Sequence, residues 1–389
     1  MSPSRANAWV ERVRGDAGMA HPGDVQFETQ AAAVPWLAAL GEFLETWARR
    51  LVTVPTYALL CTCTVLAFPV LLGLAVLVDR VRGSNWVVVR TVTFLAAYLA
   101  CEVAGIVASW AIWVWRFVAW GTSQEEFLRW NFALQCWWGR TLLRSAAWIF
   151  AMRTEVEERG EVGHGPVIVF IRHASVADTV LAVVFLSCRY GLRLRYVLKR
   201  ELLWDPCLDI VGNRLPNCFV RRGSGDSARE IASVRRLLDG LGPQDGVLIY
   251  PEGTRFSFAK RERVLARLAT SAPELLARAA ALRHVLPPRL GGALGLLQRN
   301  CEADVVFCAH VGFEGTASFK EIIGGRAVGE TIRVVFWRVP FEDIPADRDG
   351  KVAWLFEQWR AVDDWIAEHR AAGNEGPPRA DARVARGEG

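Results

Sequence analysis

The stretch VIVFIRHASVAD, residues 167–178, decides how the fold is interpreted. Its first five residues, Val167 to Ile171, are continuously apolar and follow Gly165-Pro166, which is typical of a short strand buried on both faces. His173 lies in the loop that follows this strand, and Asp178 lies at the start of a predicted helix. A buried strand followed by a helix favours an α/β arrangement.

Strands and helices alternate in the same way along the rest of the chain. The predicted strands are 194–198, 218–221, 246–250, 305–311 and 332–337, and the predicted helices are 176–185, 228–238, 262–282 and 352–369. This alternation predicts an α/β fold with a mixed, largely parallel sheet and flanking helices.

Two long apolar runs precede this region. Residues 51–78 carry no charged side chain, and residues 91–115 carry only Glu102. Because about 20 apolar helical residues span a bilayer core, each run is long enough to cross it. The runs predict an N-terminal transmembrane or re-entrant helical hairpin over 49–120, with Glu102 against the other helix or near the interface. The mean hydropathy of +0.18 disfavours a fully soluble protein.

The remaining segments complete the expected organisation. They are a loose arm with a short helix (36–47) in residues 1–48, a globular domain over 121–345, a C-terminal helix over 346–370 and a disordered tail over 371–389. Pro55 and Pro69 predict a kink or break in the first apolar helix.

Residues 123–156, between the hairpin and the first strand, show helical periodicity. Phe127 and Leu134 recur on one broad face with other apolar residues, while Arg129 and Arg140 lie elsewhere. Tryptophan and arginine on an amphipathic helix are typical of a segment that lies at a membrane interface. An ordinary core-facing helix explains the pattern equally well.

A second unusual segment is LIYPEGTR, residues 248–255. A buried strand ends abruptly, and Gly253 allows a tight turn. Glu252 and Arg255 are closer to the strand end than ordinary surface residues usually are. The alternative interpretation is a capped turn with a local ion pair.

His173 and Asp178 suit proton transfer. A neutral imidazole accepts a proton near pH 7, and a carboxylate on its other nitrogen fixes the tautomer and stabilises the cation. A loop-to-helix turn brings residues five apart together, although a lone histidine is usually structural. His310, at the end of a predicted strand, is the competing base, but it has no spaced carboxylate.

Together these segments resemble the glycerolipid acyltransferase family. The H-x4-D motif of His173 and Asp178 and the P-E-G-T-R motif of residues 251–255 occur in that order, with Asp178 and Glu252 74 residues apart. Segments 199–202 (KREL), 219–222 (FVRR) and 286–289 (LPPR) are similar to further motifs of the family, and the resemblance covers roughly residues 125–340. Arg172 stands where the family often has asparagine.

The resemblance implies a glycerolphosphate acyltransferase-like fold, with 121–345 as the acyltransferase domain. It implies a membrane-bound enzyme that moves an acyl group from acyl-CoA, as co-substrate, to the free sn-2 hydroxyl of lysophosphatidate, giving phosphatidate. No further cofactor is implied. The catalytic domain of such an integral membrane protein is expected to face the cytosol.

The resemblance also assigns roles to residues. His173 is the general base and is oriented by Asp178. Lys199, Arg222 and Arg255 are expected to bind the substrate phosphate, since guanidinium groups bind phosphate oxygens in pairs. The family's phosphate site is further shaped by residues that correspond to Glu252, Gly253 and Thr254.

Charge and cysteine content agree with this interpretation. The net charge is +5, and eight basic against three acidic residues lie between Arg189 and Arg222, which suits an anionic substrate or membrane better than a nucleic acid. The nine cysteines form no C-x-x-C pair and are predicted to be reduced. No metal site is predicted, because histidines and acids do not cluster at ligand spacing.

Three alternatives stay open. In the first, the enzyme uses another lysophospholipid as acceptor. In the second, the chain is a catalytically silent membrane scaffold on the same fold. In the third, it is a hydrolase with water as acceptor. The joint presence of both motifs disfavours the scaffold, and the basic residues disfavour the hydrolase.

Overall fold

The computed structural model of the chain describes residues 35–175, 177–220, 227–300, 302–313, 321 and 324–374. The chain divides into two compact units, residues 1–48 and Arg49–Gly389. The first unit is described from residue 35, where helix α1 begins. Every site considered below lies in the second unit.

Two long helices form the predicted hairpin. Helix α1 is Pro35–Arg82 and helix α2 is Val87–Val118. Both contain segments long and apolar enough to cross a membrane. The separate helix at 36–47 and the break at the prolines are not found, since α1 is continuous through Pro55 and Pro69. Each proline removes only one N–H donor, and the helix continues on either side of it.

The turn between α1 and α2 is fixed by a buried carboxylate. Asp79 Oδ1 accepts the N–H of Val88 at 3.1 Å, and Oδ2 accepts that of Val89 at 2.9 Å. Asp79 also accepts a short hydrogen bond from the Ser84 hydroxyl. These bonds satisfy the first free N–H groups of α2 and hold the two helices together.

Helix α3, Gln124–Phe150, follows α2 and begins at a capping box of Ser123 and Glu126. It ends before Val156, the predicted boundary, because Ala151 takes a left-handed conformation with φ 54°. Its periodic face is buried, which favours the core-facing interpretation for that face. Glu102 of α2 lies against this helix and accepts the indole N–H of Trp138 at 2.7 Å.

Within the described residues, seven strands form one sheet in the order β1-β7-β6-β2-β5-β3-β4. They are β1 Arg153–Arg159, β2 Val167–Ile171, β3 Arg193–Lys199, β4 Cys218–Val220, β5 Asp245–Ile249, β6 Asp304–Val311 and β7 Thr331–Val339. All neighbours pair in parallel except β6 and β7. The predicted mixed, largely parallel sheet is therefore confirmed. Strand β1 was not predicted, because this edge strand is polar and mostly exposed.

The helices of the domain follow the predicted alternation. They are α4 Asp178–Ala182, which continues through a π-helical turn Val183–Ser187 into α5 Cys188–Tyr190, then α6 Pro206–Gly212, α7 Ser227–Arg235, α8 Phe258–Ser271, α9 Pro273–Ala281, α10 Leu290–Arg299 and α11 Arg348–Asn374. The single helix predicted over 262–282 is two helices, because Pro273 starts a new one after Ala272. Helix α11 extends four residues into the expected tail, and residues 375–389 lie outside the described part.

The sheet is covered on both faces, as a mostly parallel sheet requires. Alternate residues of the central strands point to opposite sides. Ile168 and Phe307 belong to the core that packs under Trp359 of α11, whereas Val169 belongs to the core that packs under Ile149 of α3. The sheet that bears the site thus lies between two layers of helices.

Candidate active site

The two motif loops leave the same edge of the sheet. Strands β2 and β5 pair in parallel with Phe170 opposite Ile249, so the loops that follow them begin side by side. Two hydrogen bonds join these loops: His173 N–H donates to Glu252 Oε1 at 2.6 Å, and Phe256 N–H donates to His173 O at 2.8 Å. The backbone of His173 is held between two residues of the second loop.

The imidazole of His173 is oriented by a buried carboxylate. Its Nδ1 lies 3.0 Å from Asp178 Oδ2, and that oxygen also accepts the N–H groups of Ala174 at 2.6 Å and Ser175 at 2.8 Å. Asp178 is fully buried, whereas the His173 side chain is 17% exposed. With Nδ1 held by Asp178, Nε2 is the nitrogen that can take a proton from a substrate.

A second histidine lies on the buried side of Asp178. His310 Nε2 is 3.5 Å from Asp178 Oδ1 and 3.1 Å from the carbonyl oxygen of Arg172. The Arg172 guanidinium in turn donates to the His310 carbonyl at 2.5 Å. The sequence shows no carboxylate at motif spacing from His310, and only the fold brings His310 to Asp178, which it shares with His173. Its full burial makes it unsuited to contact a substrate.

Glu252 connects protein segments and does not face a cavity. Its Oε1 accepts the His173 N–H, and its Oε2 accepts the Leu286 N–H at 2.8 Å. Burial raises the pKa of this carboxyl to about 8, although the two N–H groups and the nearby Arg172 guanidinium lower it. Glu252 was predicted to help shape a phosphate site; in the structure it joins the His173 loop to the segment at Leu286, and its role toward a phosphate stays a prediction.

Gly253 and Thr254 differ in what they contact. Gly253 has φ +65°, and a Cβ atom there would lie 2.6 Å from Cδ of Arg289, so only glycine fits without displacing that arginine. The Thr254 hydroxyl accepts from Lys260 Nζ at 3.3 Å and is not part of the cavity lining described next. Gly253 is therefore placed at the site, whereas Thr254 supports the loop.

A cavity of about 380 Å³ opens beside His173, within the size range of ligand sites. Its wall includes Lys199, Gly253, Arg255 and Arg289. Burial, with the nearby Arg267, lowers the pKa of Arg289. Arg289 belongs to the LPPR segment but was not proposed as a site residue, since its approach to Gly253 depends on the fold. Arg222 lies outside the described residues.

An apolar cavity of about 590 Å³ adjoins the first one. Thr179, Leu198, Leu202 and Arg255 line both, so the two cavities meet beside the site. Its far walls come from α2 and α3, through residues such as Phe94, Tyr98, Leu134, Trp138 and Leu142. The hairpin was predicted only as a membrane anchor, because nothing in its sequence indicates that it lines a cavity.

The basic residues between positions 189 and 222 are mostly used elsewhere. Arg193 pairs with Asp245 at 2.7 Å, and Arg195 donates to the Leu237 carbonyl at 2.9 Å. Both begin β3, whereas Lys199 ends it and lies at the cavity. Since parallel strands place substrates at their carboxyl ends, Lys199 is suitably located for an anionic ligand, whereas Arg193 and Arg195 are not.

Residues 151–289 match the family model described as Acyltransferase. The match contains the H-x4-D and P-E-G-T-R loops and supports the glycerolipid acyltransferase family that these motifs predict.

Two particular proteins are similar to the chain. The mouse (Mus musculus) 1-acyl-sn-glycerol-3-phosphate acyltransferase epsilon is 24% identical over 214 residues, which cover 52% of this chain and 57% of that protein. The crystal structure of the 1-acyl-sn-glycerophosphate (LPA) acyltransferase PlsC from Thermotoga maritima aligns with a TM-score of 0.40 and 13% identity, covering 69% of this chain and 98% of that one. The match to the mouse protein thus spans little more than half of its length.

Proposed function

We propose that the protein transfers an acyl group from acyl-CoA to the free sn-2 hydroxyl of lysophosphatidate, giving phosphatidate. One observation carries the proposal: the His173–Asp178 pair lies at a cavity lined by three cations, and this cavity joins a larger apolar one. A phosphate and an acyl chain require those two environments side by side.

In the proposed reaction, His173 Nε2 takes the proton of the acceptor hydroxyl while the hydroxyl oxygen attacks the thioester carbonyl. The tetrahedral intermediate collapses, the C–S bond breaks and the CoA thiolate leaves with the proton that His173 returns. Asp178 stabilises the imidazolium between these steps. Positioned bases of this kind contribute about 10²–10⁴-fold to rates.

Lys199, Arg255 and Arg289 are proposed to bind the acceptor phosphate. Charge-assisted hydrogen bonds from guanidinium groups are about twice as strong as neutral ones. Arg255 lines both cavities and is therefore suited to lie between the headgroup and the acyl chain.

A cytosolic catalytic domain on the membrane is part of the proposal. All eight described cysteines are free thiols, which suits a reducing compartment. The helices α1 and α2 supply the apolar surface that brings the enzyme to a lipid acceptor.

The test is acyl transfer in membranes that contain the full chain. We expect turnover with acyl-CoA and lysophosphatidate, and a loss of about 10²-fold or more in His173→Ala at unchanged protein level. His164→Ala is the matched control, because His164 lies on the surface with a 49% exposed side chain. Full turnover in His173→Ala would exclude this base.

The same assay separates the alternatives. Faster transfer to lysophosphatidylcholine would indicate a remodelling enzyme, and release of free fatty acid without an acceptor would indicate a hydrolase. Transfer from acyl carrier protein but not from CoA would change the donor. No turnover with any acceptor would favour a scaffold.

A further inference from the structure

Two cysteine thiols meet between α3 and the helix that follows the site. Cys136 lies on α3, and Cys188 is the first residue of α5. Cys188 Sγ is 3.6 Å from the Cys136 carbonyl oxygen, and both side chains pack on the edge of the same core. Both residues are partly exposed, so a small reagent can reach them. Neither takes part in the proposed reaction.

The two thiols are chemically unequal. The neighbouring Cys136 side chain, together with the Arg140 guanidinium, lowers the pKa of Cys188. Arg140 is one turn beyond Cys136 on α3 and donates to the Cys188 carbonyl at 2.5 Å. The same contact between the thiols raises the pKa of Cys136. Since the thiolate is the nucleophile, Cys188 is the thiol that reacts first.

We propose that Cys136 and Cys188 are a modification site, at which a hydroperoxide forms a reversible disulfide between α3 and α5. The Cys188 thiolate attacks one peroxide oxygen, the O–O bond breaks, and Cys188 becomes a sulfenic acid while water or an alcohol leaves. The Cys136 thiol then attacks Cys188 Sγ and releases water. Overall, two thiols lose two hydrogens and the peroxide is reduced. A cellular dithiol reverses the bond.

The chain contains a matched control pair. Cys101 of α2 and Cys207 of α6 are also close enough to influence one another, but they are 5% and 4% exposed. Burial raises the pKa of Cys207. A buried thiol in apolar surroundings is inert, so proximity without access or activation is expected to give no disulfide.

A consequence for catalysis rests on the proposed function. Gln135 and Trp138, beside Cys136, line the apolar cavity, and Thr179 and Val183, on the helical segment that leads to Cys188, line its other wall. A disulfide would tie these walls together, and we expect it to lower acyl transfer by limiting the space for the chain.

The bond itself is tested without any activity measurement. The full-length protein in detergent is treated with hydrogen peroxide, the remaining thiols are alkylated, and the chain is digested with trypsin. The sequence places Cys136 in peptide 130–140 and Cys188 in peptide 173–189, each as the sole cysteine. We expect these peptides joined, two hydrogens lighter than their sum, and separated again by dithiothreitol.

The variants assign the roles. In Cys136→Ser, dimedone is expected to trap a sulfenic acid on Cys188, whereas in Cys188→Ser no such adduct is expected on Cys136. Peptides 91–116 and 201–214, which hold Cys101 and Cys207, should stay alkylated and separate. The proposal is overturned if 130–140 and 173–189 stay separate in oxidised wild type, or if the control pair joins first.

Activity is then measured on the same samples. Oxidised wild type should transfer less acyl group than its reduced form. Cys136→Ser should show no such loss, because this variant does not form the disulfide. If the disulfide forms and acyl transfer is unchanged, only the expected effect on catalysis is contradicted. Absent turnover in reduced protein would instead contradict the proposed function.

Discussion

At the residue scale, the site is centred on Asp178, which lies between two histidines. His173 was found from its spacing in the sequence. His310 was not, because it reaches Asp178 only through the pairing of β6 with β2, in which Cys308 lies opposite Ile171. His310 is two residues beyond Cys308 and so lies on the same face of the sheet. No local pattern in the sequence encodes that pairing.

We expect His310 to act as a positioning residue for the proposed base pair. His310 Nε2 lies 3.5 Å from Asp178 Oδ1, which is close without being a hydrogen bond, and His310→Leu removes this neighbour. Losing a contact of this kind costs about 0.5–1.5 kcal/mol, so kcat should fall about 2- to 10-fold with little change in KM. The measurement is steady-state acyl transfer at varied acceptor concentration.

His310→Gln is the companion variant, because glutamine keeps an N–H donor. It should recover much of kcat. If both variants are less stable and have a changed KM, while kcat of the folded fraction is normal, His310 supports the fold and does not position the base.

At the element scale, much of the sheet was predictable and its loop connections were not. The apolar runs of β2, β5 and β6 identify buried strands, and parallel pairing brings the ends of β2 and β5 together. The edge strand β1 has no such signal, because its residues alternate little and remain exposed. The role of Glu252 is also hidden, since its partners are backbone N–H groups that any sequence supplies.

Glu252→Gln tests that role. In glutamine an NH2 group, which only donates, replaces one of the two carboxyl oxygens, so either the His173 or the Leu286 N–H loses its acceptor. At about pH 4.5 we expect a loss of about 1–3 kcal/mol in the free energy of unfolding, measured in detergent. Glu262→Gln on the exposed surface of α8 is the control and should change it by less than about 0.5 kcal/mol.

The difference in the free energy of unfolding between wild type and Glu252→Gln should change with pH in a defined direction. The pKa of Glu252 is about 8 in the folded protein, above its usual value of 4.5. Between these values the folded state binds more protons than the unfolded chain, so this group's contribution to stability falls as pH rises. The gap between wild type and Glu252→Gln should therefore narrow from pH 4.5 to 8. A gap that widens would show that the folded carboxylate is ionised throughout.

At the scale of the whole molecule, the hairpin is attached to the globular domain at both of its ends. At the turn end, the Arg90 guanidinium donates to the Ile149 carbonyl. At the other end, Arg49 and Arg50 both contact Asp209 of α6 at 2.8 Å. Between them, Tyr98 donates to Asp205 at 2.9 Å. One domain on one side of a bilayer does not reach both ends of an upright hairpin.

Helix α3, which packs along α2, also disfavours an upright hairpin. Helix α3 runs antiparallel along α2, with Arg116 over Phe127 at one end and Phe94 against Phe150 at the other. Along this length α3 exposes Arg140. An arginine at the bilayer centre costs about 2.5–3.5 kcal/mol or more. An upright α2 would place Arg140 near that depth, so we expect the re-entrant arrangement, with the hairpin entering and leaving on the catalytic side.

Labelling of single cysteines decides between the two topologies. In sealed vesicles with the catalytic side outward and the nine native cysteines replaced by serine, a membrane-impermeant maleimide should label both Asn85→Cys in the turn and Glu125→Cys at the start of α3. Both positions are exposed, so a difference between them reports the side of the membrane. If Asn85→Cys reacts only after permeabilisation, the hairpin crosses the bilayer. The contacts of Arg90 and Tyr98 with the domain would then have to break on insertion, since they cannot be kept across a hydrocarbon core about 30 Å thick.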